Sequence, residues 1–284
     1  MKKHLKNIIN KIIEISIKYI KKFRSGRYLI EKISIINFNS TKSVLHNGIK
    51  LQFTVPNALN YFRVDTFATK EPETLQWIDG ITENSVFWDI GANIGLYSCY
   101  AAKLKKCRVY SFEPSVFNLE LLSRNIYLNK LVGNIVVLPM PLSDTLAESN
   151  MKFTTTSWGG ALSTFGKDFG WDGKNIPDVF EFRTIGVSMD EMVNNLKIEK
   201  PDYIKMDVDG IEHFILKGGE EILKNVKSIL IEINDDFFEQ SNDSSIILKS
   251  AGLTLTHKLH SEMTANSNAG FGNSYNQIWS RLDG

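Results

Sequence analysis

The sequence predicts an α/β domain built on a doubly wound, mostly parallel sheet. Three stretches carry this expectation. Ser85–Ala102 runs from an apolar strand, Val86-Phe87-Trp88, through Asp89 and the small-residue turn Gly91-Ala92-Asn93-Ile94-Gly95 into a helical pattern over Leu96–Leu104. Arg108–Pro114 is a second strand, closing on Glu113. Asp202–His213 holds a buried strand, Tyr203–Met206, that ends in carboxylates and opens a further helix. Strand, tight turn and helix form the first half of a βαβ unit, and its repetition gives a Rossmann-like sheet.

The 284 residues suit one large domain, or one domain with appendages. The net charge of +1 hides an asymmetry: residues 1–24 hold seven lysines and Arg24 against Glu14, which makes this segment +7 and leaves the rest near −6. On electrostatic grounds the main domain is not a nucleic-acid binder. Cys99 and Cys107 form no disulfide framework, which fits a reducing compartment and a cytoplasmic location. No C-x-x-C or His/Cys cluster points to zinc, and no apolar run reaches the roughly 18 residues of a membrane span. Lys11, Glu14 and Lys18 interrupt any signal-peptide core.

Residues 1–24 are expected to form a basic amphipathic helix, with Leu5, Ile9, Ile12, Ile13, Ile20 and Phe23 along one stripe. Two readings stand: a helix lying on the anionic inner face of a membrane, or an extension that docks on the domain or a partner or stays loosely ordered. Residues 25–84 are expected to be a small β-rich preface covering the main domain. Its candidate strands are Ile33–Ile36, Ile49–Phe53 and Tyr61–Val64, with a helix around Leu75, Trp77 and Ile78. The main domain is expected over 85–284.

The turn after the first strand reads D-x-G-x-N-x-G, without the third glycine of the dinucleotide pattern G-x-G-x-x-G. Its glycines let backbone approach a ligand, and the helix that follows presents free N–H groups. An acid before the first glycine suits a ligand carrying an amino group and a carboxylate, such as the methionine end of S-adenosylmethionine. Asp89, Gly91, Asn93 and Gly95 are the candidate cofactor residues here. Glu113 lies 18 residues beyond Gly95, where a carboxylate accepts from both ribose hydroxyls of a nucleoside. Ser143 and Asp144 follow the third strand, Asn134–Leu138, and are either adenine contacts or an ordinary turn.

Residues 150–182 interrupt the βα rhythm with a hairpin-like insertion. Its Trp158 and Trp171 either stack on a sugar face or pin the loop to the domain. In the third stretch, Asp207, His213 and Lys205 are the candidate catalytic residues. Asp209 and Glu212 match D-x-x-E, an N-cap with its reciprocal partner, as well as a substrate contact. Two carboxylates are too few to predict a divalent ion. Residues 226–234 make a fifth strand, ending in Glu232 and Asn234. The strand pair 253–259 and 276–280 would put an antiparallel strand at the sheet edge, joined by a polar loop over 262–275.

Taken together, W-D-I-G-A-N-I-G-L-Y-S, S-F-E-P-S-x-x-N and I-K-M-D-V-D-G-I-E-H-F-I-L-K-G-G followed by I-L-I-E-I-N resemble the FkbM family of S-adenosylmethionine-dependent methyltransferases. The resemblance covers roughly residues 85–234. It implies a seven-stranded class I methyltransferase sheet and methyl transfer to oxygen, often a sugar or natural-product hydroxyl. It also implies that Asp89, Gly91, Asn93, Gly95 and Glu113 line the cofactor, and it places Lys205, Asp207 and Glu212 in the family's second block. Asp209 stands where the family commonly has Glu. The acceptor is expected to be a small molecule or glycan. The rival readings are an NAD-dependent oxidoreductase and a non-catalytic cofactor-binding module.

Overall fold

The structure is a computed structural model that describes residues 2–177, 179–260 and 271–282. The chain opens with two helices, α1 (Lys2–Ile20) and α2 (Arg24–Phe38), and a hairpin of β1 (Thr41–His46) and β2 (Ile49–Thr54). Two more helices, α3 (Ala58–Asp65) and α4 (Pro72–Gly80), lead into the main sheet. The first βα repeats are β3 (Val86–Ile90), α5 (Leu96–Lys105), β4 (Arg108–Phe112), α6 (Val116–Leu128) and β5 (Ile135–Leu138). The insertion contributes β6 (Ala147–Phe153), β7 (Ser163–Phe165) and β8 (Phe180–Gly186). Then come α7 (Met189–Asn194), β9 (Tyr203–Met206), α8 (Glu212–Lys217), α9 (Glu220–Leu223), β10 (Ser228–Asn234), α10 (Phe238–Ser250), β11 (Thr254–Leu259) and β12 (Ser274–Ser280).

Seven strands form one sheet in the order β11-β12-β10-β9-β3-β4-β5. The strand order reverses between β3 and β9, which pair in parallel, so a crevice opens above their carboxyl ends. The central strands are buried on both faces. Trp88, Tyr110, Ile204 and Ile229 enter one apolar cluster, while Phe87, Val109, Tyr203 and Leu230 enter the other. This alternation follows from the two-residue period of a strand.

Two expectations are corrected. The antiparallel strand is not at the edge: β12 sits between β10 and β11 and runs against both. Burial gives the reason. β12 supplies Ile278 and Trp279 to the core, whereas β11 is almost wholly exposed, so the more apolar strand takes the inner place. The preface carries one hairpin and three helices rather than a set of strands. Ile33–Ile36 lies within α2 and Tyr61–Val64 within α3. Asn57 caps α3 by accepting from Asn60 N. A four-residue apolar run does not distinguish strand from helix. The expected loop over 262–275 lies largely outside the described residues.

The insertion is a three-stranded sheet in the order β7-β6-β8. Its long antiparallel pair runs from Ala147↔Gly186 to Phe153↔Phe180, as the hairpin-like pattern anticipated but with longer strands. The preface covers one face of the main sheet through Leu51, Phe53, Leu75 and Ile78. The helix α1 meets α2 at the bend between them, and its apolar side chains are exposed. Among the described residues no helix is long and apolar enough to cross a membrane.

Candidate active site

A cavity of about 450 Å³ opens over the carboxyl ends of β3, β4, β9 and β10. One end is floored by the turn Gly91–Ile94, with Glu113 and Pro114 beyond β4 and Met140–Leu142 beyond β5. The other end is walled by Arg63, Lys70, Glu71 and Glu73 of the preface, Tyr97 of α5, and Lys205, Asp207 and Glu232. Leu259, His260, Ser274 and Asn276 close the rim from β11 and β12.

The turn is shaped by close backbone approach. Gly91 has φ +83°, and a Cβ there would lie 1.9 Å from the carbonyl oxygen of Asp207. Only glycine lets the β3 and β9 loops touch in this way. Asn93 also takes a left-handed φ of 50°, which Asn tolerates better than most residues. Its N–H donates to Glu113 Oε2 at 2.7 Å, and Ser115 N donates to Oε1 at 2.8 Å. Burial pushes the Glu113 carboxyl up to about 7 despite these bonds. Gly95 serves packing instead: a Cβ there would lie 2.5 Å from Leu122 of α6, and the residue is not in the cavity wall.

Asp89 lies beneath the turn, 1% exposed, with Oδ2 accepting from Ser98 Oγ. Its Oδ1 and the Oδ1 of Asn93 are buried without a hydrogen-bond partner among the described residues. Unsatisfied acceptors beside a backbone cradle suit a ligand bearing an amino group. The residues present therefore fit S-adenosylmethionine: the turn for its methionine end, Glu113 for its ribose, and the apolar Met140–Leu142 for its adenine. Ser143 and Asp144, the expected adenine contacts, are outside the wall and bond to each other on the surface.

The second end is a buried charge cluster. Lys205 is 2% exposed, donates to Asp207 Oδ2 at 3.1 Å and stands over the Tyr97 ring. Burial disfavours its charge, but Asp207, Asp89 and Glu71 outweigh this and raise its pKa. Burial likewise opposes ionisation of Asp207, yet Lys205 and Lys70 hold it down to about 2. Glu232 is pushed well above the carboxylate range, first by burial and then by the charges of Asp207 and Glu71. It therefore keeps its proton and shares a hydrogen bond with Asp207. Tyr97 donates to Glu71 Oε2 at 2.9 Å, and Lys70 pairs with the other oxygen.

The remaining expected site residues have structural places. Asp209 does not cap the following helix. At φ +65° it accepts from Leu162 N at 2.7 Å and Ser163 N at 3.3 Å, which ties the insertion across the cavity. Glu212 is buried outside the wall and accepts from Val208 N, Gly210 N and Gln240 Nε2, so it shapes the loop after β9. His213 is fully buried among Phe214 and Phe237, outside the cavity wall, with neither ring nitrogen partnered among the described residues. Burial pulls its pKa down to about 4. A neutral ring away from the cavity does not serve as its base, and the histidine at the rim is His260. Trp158 packs on Phe38 and offers its carbonyl to Asn57 and Asn60; Trp171 offers its carbonyl to Asn234. Both residues tie the insertion to the rest of the domain and stand outside the cavity wall.

The same insertion forms a strap over the glycine turn. Gly160 O accepts from Asn93 Nδ2 and Asn118 Nδ2, and Gly159 O accepts from Arg63 Nε at 2.8 Å. Sequence reasoning missed Lys70, Glu71, Tyr97 and Arg63, and it noted Glu232 only as a strand end. The signal for Glu232 was its place near the carboxyl end of a buried strand next to β9.

The Methyltransferase FkbM domain matches residues 89–271. The hexuronic acid methyltransferase AglP of Haloferax volcanii is 26% identical over 190 residues, 66% of this chain and 72% of that protein. Methyltransferase sdnD of Sordaria araneosa is 28% identical over 178 residues, 55% of this chain and 68% of that protein. The crystal structure of precorrin-6y C5,15-methyltransferase from Geobacter metallireducens aligns with a TM-score of 0.44 at 12% identity, covering 75% of this chain and 87% of that one. With its model matched from Asp89 through more than half of the sequence, the chain belongs to the FkbM methyltransferase family.

Proposed function

We propose that the protein transfers a methyl group from S-adenosylmethionine to a hydroxyl oxygen of a sugar or related polyol. The observation that carries this reading is a single cavity joining the glycine turn to an ionised carboxylate, Asp207, whose backbone touches Gly91. S-adenosylmethionine is the cofactor, and when bound it supplies an electrophilic sulfonium methyl. Gly91–Ile94 hold its methionine end, Glu113 its ribose and Met140–Leu142 its base. The strap Gly159–Ser163 excludes water from that end.

Asp207 accepts a hydrogen bond from the acceptor hydroxyl and so aims an oxygen lone pair into the cavity. Lys205 fixes the Asp207 carboxylate at Oδ2, and the hydrogen bond with Glu232 helps to hold it. A hydroxyl becomes strongly acidic as it is alkylated. A carboxylate held near 2 therefore still takes the proton late in the reaction. The polar rim of Glu73, Ser274 and Asn276 suits a ligand rich in hydroxyls. AglP, a hexuronic acid methyltransferase by name, supports a sugar as the acceptor.

Two measurements test the reading. Saturating S-adenosylmethionine or S-adenosylhomocysteine, at about 100 times Kd, raises stability by roughly 2.7 kcal/mol, while NAD leaves the melting temperature unchanged. Labelled methyl groups then appear on hydroxyls of uronic-acid glycans. Labelling confined to nitrogen or carbon acceptors overturns the oxygen assignment, and stabilisation by NAD alone overturns the cofactor.

A further inference from the structure

We propose that α1 is an interfacial helix that holds the protein on a membrane surface rich in anionic lipid headgroups. The inference stands apart from the chemistry in the cavity. On a helical projection, Leu5, Ile8, Ile9, Ile12, Ile15 and Tyr19 share one face, and Ile13, Ile17 and Ile20 widen it to about half the circumference. Ile12, Ile15 and Tyr19 are each close to 60% exposed, which leaves this face uncovered. The opposite face and its flanks carry Lys6, Lys11, Lys18, Lys21 and Lys22 against the single acid Glu14.

Two features make this a built surface rather than a loose tail. Gly26 is buried in the bend after α1, where a Cβ would come within 2.0 Å of Ile20 O, so α1 and α2 meet at a close elbow. The far end of α2 is tied to the domain. Asn37 Nδ2 donates to Pro56 O at 2.7 Å, Phe38 packs on Trp158 at 4.9 Å, and the Arg124 guanidinium stands 4.4 Å over the Phe38 ring. The elbow thus joins α1 to the insertion that straps the cavity.

Charge and width select the occupant. A second copy of α1 would bring lysines against lysines, with one acid each to offset them, and a helix pair needs a narrower apolar seam. Nucleic acid takes up positive charge but gives an isoleucine face nothing to bury against. An anionic bilayer satisfies both halves: acyl chains receive the apolar face while headgroups neutralise the lysines.

The test uses the full chain with sedimented vesicles of phosphatidylcholine, with or without phosphatidylglycerol. Binding is expected on the anionic vesicles, at least tenfold weaker on the neutral ones, and reduced by high salt. Lys11→Gln and Lys18→Gln should each weaken it about fivefold. Ile12→Glu should weaken it more than tenfold with an unchanged melting temperature, since its side chain is exposed. Equal binding to both vesicle types overturns the proposal. So does binding to duplex DNA with none to vesicles, or a dimer in sedimentation that Ile12→Glu dissolves while vesicles are ignored.

Discussion

The ammonium of Lys205, buried beneath the cavity, lies 3.1 Å from the carboxylate of Asp207, two residues along the chain. Lys205 also balances Asp89, its register partner on β3, and Glu71 from the preface. One cation thus joins three elements at the crevice. Lys205→Met should cost about 3–5 kcal/mol, because it strands buried carboxylates rather than merely losing a contact. Urea denaturation reads this directly. In the double variant with Asp207→Asn part of the loss should return, and strict additivity of the two substitutions would refute the coupling.

Asp207→Asn keeps the shape of the side chain and removes its ability to take a proton. Turnover should fall by roughly 10²–10⁴, with S-adenosylhomocysteine affinity changed only a few-fold. Initial rates and calorimetry separate these quantities. Near-full turnover would show that the proton leaves by another route.

Glu113 is buried with a pKa near 7, while ribose hydroxyls donate best to its ionised form. Cofactor affinity should therefore rise as pH increases through 7 and level off above it. Glu113→Gln should bind more weakly and show no such rise. Titration calorimetry from pH 6 to pH 8 makes the comparison, and an unchanged slope in the variant removes Glu113 from the ribose site.

His213 is neutral when folded, with a pKa of about 4, and takes up a proton near its usual 6.5 when unfolded. Between those values the unfolded chain binds more protons, so stability contributed by this residue rises with pH across about 4 to 6.5 and is lost towards acid. The full effect is about 3 kcal/mol. His213→Phe should flatten that window and preserve methyl transfer, since the ring is outside the cavity. A collapse of activity in a folded variant would restore His213 as a catalytic candidate.

Asp209→Ala removes the acceptor for Leu162 N and Ser163 N. Bonds to a charged group contribute about 1.5–3 kcal/mol each, so amides around 159–163 should exchange at least tenfold faster. Hydrogen exchange with mass spectrometry measures this, and protection equal to the native protein would show that the strap is held elsewhere.

The parts of the site that were legible in the sequence lie in unbroken runs. Val86-Phe87-Trp88 with Gly91, and Tyr203–Met206 with Asp207, each put strand, turn and functional group within a dozen residues. Periodicity and turn chemistry expose such runs. Glu71, Tyr97 and Glu232 converge from three separate elements, and no local pattern marks that meeting. His213 misled because the only nearby histidine in sequence pointed into an aromatic core, while His260, distant in sequence, reached the rim. The preface was misread for the opposite reason: its apolar runs were too short for their period to register. The place of β12 depended on a competition between two strands for burial, which alternation within either strand does not reveal.

That place governs how the molecule is made. On the ribosome, β10 emerges with one lateral edge bare, and its partner β12 follows some forty residues later. Until then the apolar run Ser228–Asn234 offers unpaired backbone groups to any passing strand. Glu232 and the rim residue Asn276 are directly paired in the finished sheet, so the acceptor end of the cavity forms only when the late strand inserts. Synthesis thus leaves a vulnerable interval that a holding chaperone is suited to cover, and a nascent chain stopped before β12 carries the glycine turn without a completed active site.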